Sequence, residues 1–552
     1  MLSHQKKTLI LSIDSGCWAY LDPVLAAGRM PNVARLIESG VRGVLESTMP
    51  PITPVAFSSF ITGTNPGKHG IFDWSVCRNG AGGSQPASAR CLRGIPFWRH
   101  LNEVGVGVGL FNIPITYPPA QLDGFIVAGI SVPGTVRDFT YPREALDWLE
   151  ERFGPYRVDV SLDVLRRDGV QPYVDAWLAY ERRQTDIAMA LMDEYGADVL
   201  AFNYASLDRV NHFSPYREDL ERTLANVDSQ IGRFVEHYPE ANFILMSDHG
   251  SRRIKSAFLL GKWLAQNGYA VYGEKSLDVP SHEINFALAR YFRARGVNGT
   301  GERVLRGLLH GLLTLVPSVL RRPVWRAMYQ TVPQALDYRF SERLDWARTR
   351  VFATSNSGPL IINRGALKGN GAGSDQAYNA LRAALIHDLS MVKDPLTGER
   401  VFSNVYRREE IYSGPALSQA PDVIADHYDS LCDLIVDNEP GRFCFVDRLN
   451  RFGDHVRGGM FVLSGPDFAS SRQEQIASIL DIPATLLRIY GVAVPPDYDG
   501  RAMEESLSPD FVRQQPTCIR TDGAVESIAV TDDYSEAEMQ QVADHLRDLG
   551  YL

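Results

Sequence analysis

Apolar runs and helical periodicities alternate along most of the chain. TLILSI is an unbroken apolar run that stops at Asp14, which predicts a buried strand followed by a turn. PNVARLIESG carries apolar residues at helical spacing and ends at Gly40, and VRGVLEST predicts a second strand. The alternation continues with IPFWRHLNEVG (helix), VGVGLFNIP and FIVAGI (strands) and the long amphipathic QPYVDAWLAYERRQTDIAMALMDEYG. ADVLAFNYASLD (strand), REDLERTLANVDSQIGRFVEHY (helix) and NFILMSDHG (strand) complete it. Such a pattern predicts an α/β fold, a mostly parallel central sheet with helices on both faces. Ligands of these sheets bind beyond the carboxyl ends of the strands. Asp14, Asp208 and Asp248 each lie at or just past the end of an apolar run.

The rhythm changes between 256 and 341. GERVLRGLLHGLLTLVPSVLRRPVWRAMYQTVPQAL predicts short helices broken by Pro317, Pro323 and Pro333, an inserted and mainly helical cap. Its arginine-flanked apolar run fits a layer over the sheet and also an interfacial helix. Strand and helix patterns return in VFATSNSGPLIIN, QAYNALRAALIHDLS, FGDHVRGGMFVLSGP and SILDIPATLLRIYGV. The expected organisation is a core of residues 1–255 and 342–505, a cap of 256–341, and a C-terminal linker and amphipathic helix over 506–552.

Composition narrows the class. At 552 residues with 45 % hydrophobic and 22 % charged positions, the chain reads as an ordinary globular protein. A net charge of -10 argues against a nucleic-acid partner, which requires a basic footprint. Six cysteines without a C-x-x-C pair are too sparse for a disulfide framework, so a reduced, cytoplasmic protein is expected. The basic MLSHQKK is followed by an apolar run that Asp14 interrupts at once, unlike a secretory signal. Gly307–Leu320, the longest uncharged apolar stretch, is shorter than the roughly 20 residues that span a bilayer. No transmembrane segment is expected, and the oligomeric state is not legible.

Chemistry-bearing residues collect at the strand ends. In FNYASLDRVNHF, Asp208 and His212 are four apart and would share one face of a helical turn, a pairing that suits a borderline metal such as zinc. Asp248 and His249 close the apolar strand of FILMSDHG, where two ionisable side chains are costly unless paired or metal-bound. His455 lies in the glycine-rich loop RFGDHVRGGMF. Each fragment alone has a plain reading as a solvated strand-end turn or loop histidine. Together, three aspartates and three histidines suffice for two sites of three ligands each. Thr53, in PPITPVAFSSF, stands where a helix begins; it is either an ordinary cap or a hydroxyl held at the positive end of a helix dipole, and the two are compatible. Two cations near such a hydroxyl can activate it as a nucleophile toward a phosphoryl group. Lys68, Arg252 and Arg253 are read as solvated surface charge, and His69 as structural.

In LILSIDSG, MPNVARLIESGVRGVLESTMPPITPVAFSSFITGTNPGKHGIFDW, SLDRVNHF, MSDHG, FGDHVRGGMFVLSGP and DIPATLLRIYGVAVPPDYDGRAM, the chain resembles the alkaline phosphatase superfamily. The resemblance is to its type I phosphodiesterase/nucleotide pyrophosphatase branch, and within it to the bacterial group of predicted phosphohydrolases and phosphomutases. It implies two divalent ions, Zn²⁺ first with Mn²⁺ as the alternative. Asp14, Thr53, Asp248 and His249 would hold one, and Asp208, His212 and His455 the other. It further implies in-line attack by Thr53 on a small phosphate ester and a phosphothreonine intermediate. Nucleotide pyrophosphatases place an Asn shortly after their H-G-I segment; HGIFDW has Asp73 and Trp74 there, which speaks against a nucleotide diester. No C/S-x-P-x-R run is present, which sets sulfatase chemistry aside. The expected activity is metal-dependent hydrolysis of a phosphate monoester or diester. A phosphotransferase or phosphomutase with the same site, or a non-catalytic metal-dependent binding protein, are the alternatives.

Overall fold

The computed structural model describes residues 6–78, 83–134, 136–272, 344–367, 375–395, 397–436, 444–446, 451–516, 518–519 and 535–549. Of the expected cap, residues 273–341, with its apolar run and its three prolines, lie outside the described residues.

Nine strands form the main sheet: β1 (Thr8–Ile13), β2 (Val41–Glu46), β3 (Val108–Ile113), β4 (Gly124–Ala128), β5 (Thr140–Tyr141), β6 (Val199–Tyr204), β7 (Asn242–Met246), β8 (Phe461–Ser464) and β9 (Gln475–Ser478). Their spatial order is β9-β2-β8-β7-β1-β6-β3-β4-β5. Strands β5 and β8 run antiparallel to their neighbours and the remaining pairings are parallel. The apolar runs of the sequence explain this layout. Every residue of β1, β3, β6 and β7 is buried, as strands covered on both faces require. By contrast β2, nearer the edge, alternates buried and half-buried positions.

Four helices matter for the site: α1 (Thr53–Thr62), α2 (Val170–Glu194), α3 (Ser206–Phe213) and α4 (Arg217–His237). All ten residues of α1 are buried. It runs through the interior, packed against the helix Asp481–Ile489, and Gly63 ends it at φ +65°, the left-handed conformation glycine adopts without strain. Phe57 and Phe60 on α1 are within the core; burying each phenyl ring is worth about 1.5–3 kcal/mol. The nucleophile candidate therefore sits on an element that packing holds rigid.

A second, smaller hydrophobic cluster joins Phe258, Leu260 and Leu264 to Val351, Leu360, Leu385, Val423 and Leu434. Around it lie a four-stranded antiparallel sheet (Val351–Ala353, Pro359–Ile362, Val423–Asp426, Asn404–Arg407) and a three-stranded one (Cys432–Ile435, Ser256–Leu259, Phe445–Val446). The described start of the 256–341 segment is thus a strand and a helix, Leu260–Gln266. It packs with residues that the sequence pattern assigns to the core. VFATSNSGPLIIN, which reads as a return of the strand–helix rhythm, is an antiparallel hairpin. Among the described residues no helix is long and apolar enough to cross a membrane.

Candidate active site

The parallel strands end on one edge of the sheet, and that edge collects the polar residues. Asp14 directly follows β1, its N–H bonded to Tyr204 O at the end of β6. Asp248 lies two residues past β7. After β6 the chain turns immediately into α3, which carries Asp208 and His212 one helical turn apart on the same side, as their spacing predicts. His455 arrives on the strand Gly453–Val456, which pairs antiparallel with Gly250–Arg253 so that His455 faces Ser251 in register. Gly453 is required for this approach: a Cβ there would stand 2.3 Å from the Asn211 side chain of α3. The bond from Phe452 N–H to His212 O, 2.8 Å, ties the same strand to α3.

All seven predicted residues are brought together, each no more than 4 % exposed. In one set, His249 Nε2 lies 3.2 Å from Asp248 Oδ2, 3.7 Å from Asp14 Oδ1 and 3.3 Å from Thr53 Oγ1. In the other, Asp208 Oδ1 is 3.0 Å from His212 Nε2 and 3.3 Å from His455 Nε2, and the two imidazole nitrogens are 3.2 Å apart. The sets adjoin, because the His249 and His455 rings stack at 3.9 Å.

These spacings fit cations. A tetrahedral ion with bonds of 2.0–2.2 Å holds its ligand atoms roughly 3.3–3.6 Å apart. Asp14 Oδ1 and Asp248 Oδ2 are buried and accept no hydrogen bond from a described residue, a costly state for carboxylate oxygens unless a cation faces them. Electrostatics agree. Burial, then Asp248 and Asp208, push the Asp14 carboxyl well above its ordinary range. Burial and then Asp208 push Asp248 up to about 7. Burial opposes the charge on Asp208 as well, but His212 and the hydrogen bonds from His212 and His455 hold it well below its ordinary value. Burial, then His249, depress His455 to about 3, so it presents a neutral ligand nitrogen. Outer groups orient the ligands. His249 Nδ1 faces Gly250 O and His212 Nδ1 faces Gly453 O, a pairing that leaves each Nε2 turned inward. Arg209 donates to Asp208 Oδ2 at 3.0 Å, and Asn203 reaches Asp14 Oδ2 at 3.4 Å.

Several details differ from the sequence pattern. Thr53 is not the cap of α1. Ile52 holds that position with extended backbone, Thr53 is the first helical residue and Pro54 the second. The hydroxyl is thereby turned toward His249 instead of the helix's own N–H groups. Arg252 and Arg253 are not solvated surface charge: Arg252 bonds Tyr428 O, His427 O and Asp454, and Arg253 bonds Asn211 O and Ser214 O. Lys68 pairs with Asp499 at 2.6 Å. His69 is structural, as expected: it is fully buried between Ser59 Oγ and Ile71 N–H, with burial lowering it to about 3. Asp73 accepts bonds from Thr354 and Ser355 of the smaller sheet region, and burial raises it to about 6. A further buried group, His427, Asp433 and Asp454, has the Arg252 guanidinium 3.2 Å from Asp454 and reads as an ion-pair network rather than a metal centre.

The sequence pattern missed four residues. Arg451 lies with Nη2 2.8 Å from both nitrogens of His212, and Arg209 holds the far oxygen of Asp208. Glu181 on α2 accepts the N–H of Ser206, the first residue of α3. Ser15 bonds to both ligand sets. Only Ser15 carried a sequence signal, its place directly after the strand-end aspartate.

The comparisons with known proteins agree with this architecture. In fold the chain is similar to a four-substitution variant of the alkaline phosphatase PafA, with a TM-score of 0.53 and 14 % identity over 92 % of this chain and 100 % of that one. It is also similar to phosphonoacetate hydrolase from Sinorhizobium meliloti 1021, solved with phosphonoacetate (TM-score 0.50, 12 % identity, 87 % and 94 % covered). A third similar structure is murine ectonucleotide pyrophosphatase/phosphodiesterase 5 in an inactive form with AMP (TM-score 0.50, 14 % identity, 91 % and 100 % covered). Identities this low speak for the fold alone. No curated protein sequence matches the chain. The family match places the chain among phosphoester hydrolases with an alkaline phosphatase-like fold, and the site gathers Asp and His groups that could hold metal ions. The sequence profile of the type I phosphodiesterase/nucleotide pyrophosphatase family matches residues 8–444, and the chain belongs to that family.

Proposed function

We propose that the protein hydrolyses a small phosphate ester, with Thr53 as nucleophile and two divalent ions held by Asp14, Asp248, His249 and Thr53 on one side and Asp208, His212 and His455 on the other. The observation that carries this reading is the position of Thr53 Oγ1, 3.3 Å from His249 Nε2 and beside two adjoining ligand sets. Bound there, two cations supply charge neutralisation at the phosphoryl oxygens and a lowered pKa for the attacking oxygen. The chain's own residues do the rest. Thr53 Oγ1 attacks phosphorus in line as its proton leaves, the ester P–O bond breaks, and the alcohol departs with a proton. Water then attacks the phosphothreonine, which releases phosphate and restores the hydroxyl. The buried helix α1 holds the oxygen still, and the positive end of its dipole favours the anionic substrate. The mixed imidazole and carboxylate donors suit Zn²⁺, with Mn²⁺ as the alternative. A cytoplasmic location is part of the proposal, in keeping with five described cysteine side chains that are all free thiols.

Thr53→Ala tests the assignment. It should abolish turnover of aryl phosphate mono- and diesters, with metal content by mass spectrometry unchanged to within one ion. Wild-type-like turnover by this variant would refute the nucleophile. Phosphate release measured against transfer to added alcohols separates hydrolysis from phosphotransfer.

A further inference from the structure

Ser15 stands between the two ligand sets in a backbone conformation that a serine rarely takes. Its φ is +70°, the left-handed region, where a Cβ crowds the following carbonyl. Glycine would occupy this position without that strain. The side chain is fully buried. Its hydroxyl donates to Asp208 Oδ1 at 2.8 Å, and its backbone N–H donates to Asp248 Oδ1 at 3.3 Å. One residue therefore holds one carboxylate from each set. Asp208 Oδ1 is also the oxygen that faces His212 Nε2 and His455 Nε2, and Arg209 secures Oδ2. With a donor on each oxygen, the plane of the Asp208 carboxylate is fixed.

Two accounts of Ser15 are separable. As a mere packing residue, it would be a net loss to the fold, since its Cβ costs strain that glycine avoids. As a positioning residue, it trades that strain for the orientation of a ligand. We propose that the Ser15 hydroxyl is a positioning group that aims Asp208 Oδ1 at the second cation, and that the left-handed backbone at Ser15 is retained for this purpose. The inference rests on the two-ion reading above. Ser15 is not expected to touch the substrate. It acts through Asp208, so its removal should alter ion affinity before it alters the fold.

The test uses the full chain stripped of metal by a chelator. Zn²⁺ is titrated calorimetrically into wild type, Ser15→Gly and Ser15→Ala, and each metal-free protein is melted in parallel. Wild type should take up two ions. Ser15→Gly keeps the N–H to Asp248, loses the hydroxyl and relieves the backbone. It should bind one ion at least ~10-fold more weakly while its metal-free melting temperature stays level or rises. Ser15→Ala, which loses the hydroxyl and keeps the Cβ, should show the same weakened ion with a lower metal-free melting temperature than Ser15→Gly. It provides the affinity reading should the glycine variant fail to fold. Wild-type affinity for both ions in either variant overturns the inference. A wild-type chain that binds no ion overturns the two-ion reading itself, and this inference with it.

Discussion

Glu181→Gln should make the protein more stable above neutral pH and leave it unimproved in mild acid. Glu181 projects from α2 into the interior, where it is fully buried. Oε1 accepts the N–H of Ser206 at 3.1 Å and Oε2 the amide of Asn226 at 3.3 Å. Burial outweighs these bonds and raises the carboxyl from 4.5 to about 7. The unfolded chain releases this proton near 4.5, whereas the folded chain keeps it until about 7. Between those values the folded state binds more protons, so stability falls as pH rises and levels off above 7. The full penalty for a shift of this size is about 3 kcal/mol, at 1.36 kcal/mol per pKa unit. Glutamine keeps the acceptor for Ser206 and removes the charge, at a cost of about 1 kcal/mol for the lost bond from Asn226, whose amide then faces the glutamine NH₂. The net gain is about 2 kcal/mol at pH 8 and none at pH 5. Thermal melts of wild type and variant from pH 5 to 8.5 read this directly. The difference in melting temperature, variant minus wild type, should climb with pH and flatten above 7. A difference that is constant across the range, or that falls with pH, would refute the argument that a buried charge is strained at the foot of α3.

Gly63→Ala should lower stability by about 2–4 kcal/mol, because φ is +65° and a Cβ would stand 2.2 Å from the Tyr498 ring; denaturant or thermal melts measure it. His455→Ala should release one bound ion and reduce turnover at least ~100-fold, checked by metal analysis beside the rate assay. Chelator treatment of wild type should abolish turnover and lower the melting temperature, and added Zn²⁺ should restore both, since the buried carboxylates lose their counter-charge when the ions leave.

The site was largely legible in the sequence because its residues terminate apolar runs. Asp14 ends TLILSI, Asp248 follows NFILM, and Asp208 and His212 share a helical face one turn after VLAFNY. A run buried on both faces announces itself, and the polar residue that stops it marks the sheet's binding edge. His455 had no such frame. It stands out only as a histidine in a glycine-rich loop, the resemblance alone assigns it to the second ion, and the structure brings it in through the antiparallel pairing of Gly250–Arg253 with Gly453–Val456, a long-range register that periodicity cannot express. The same reason hides the smaller sheets, where Ser256–Leu259 pairs with Cys432–Ile435 across a long stretch of chain. Glu181 was invisible because it occupies a polar position in an amphipathic helix. Arg252 reads as surface charge, since composition does not reveal that its guanidinium is held by interior carbonyls and Asp454, and no pattern singles out Arg209 or Arg451. Ser15 needed a dihedral angle, which no residue pattern supplies. Thr53 showed its place at the start of a helix, but not that the cap falls one residue earlier.

The most direct test of the central claim is a crystal structure of the full chain grown with Zn²⁺, with anomalous scattering recorded at the zinc edge. The account predicts two peaks about 4 Å apart. One should lie within bonding distance of Asp14, Thr53, Asp248 and His249, the other of Asp208, His212 and His455. A single peak, or two that leave Thr53 Oγ1 out of reach, would contradict a two-cation centre built around that hydroxyl.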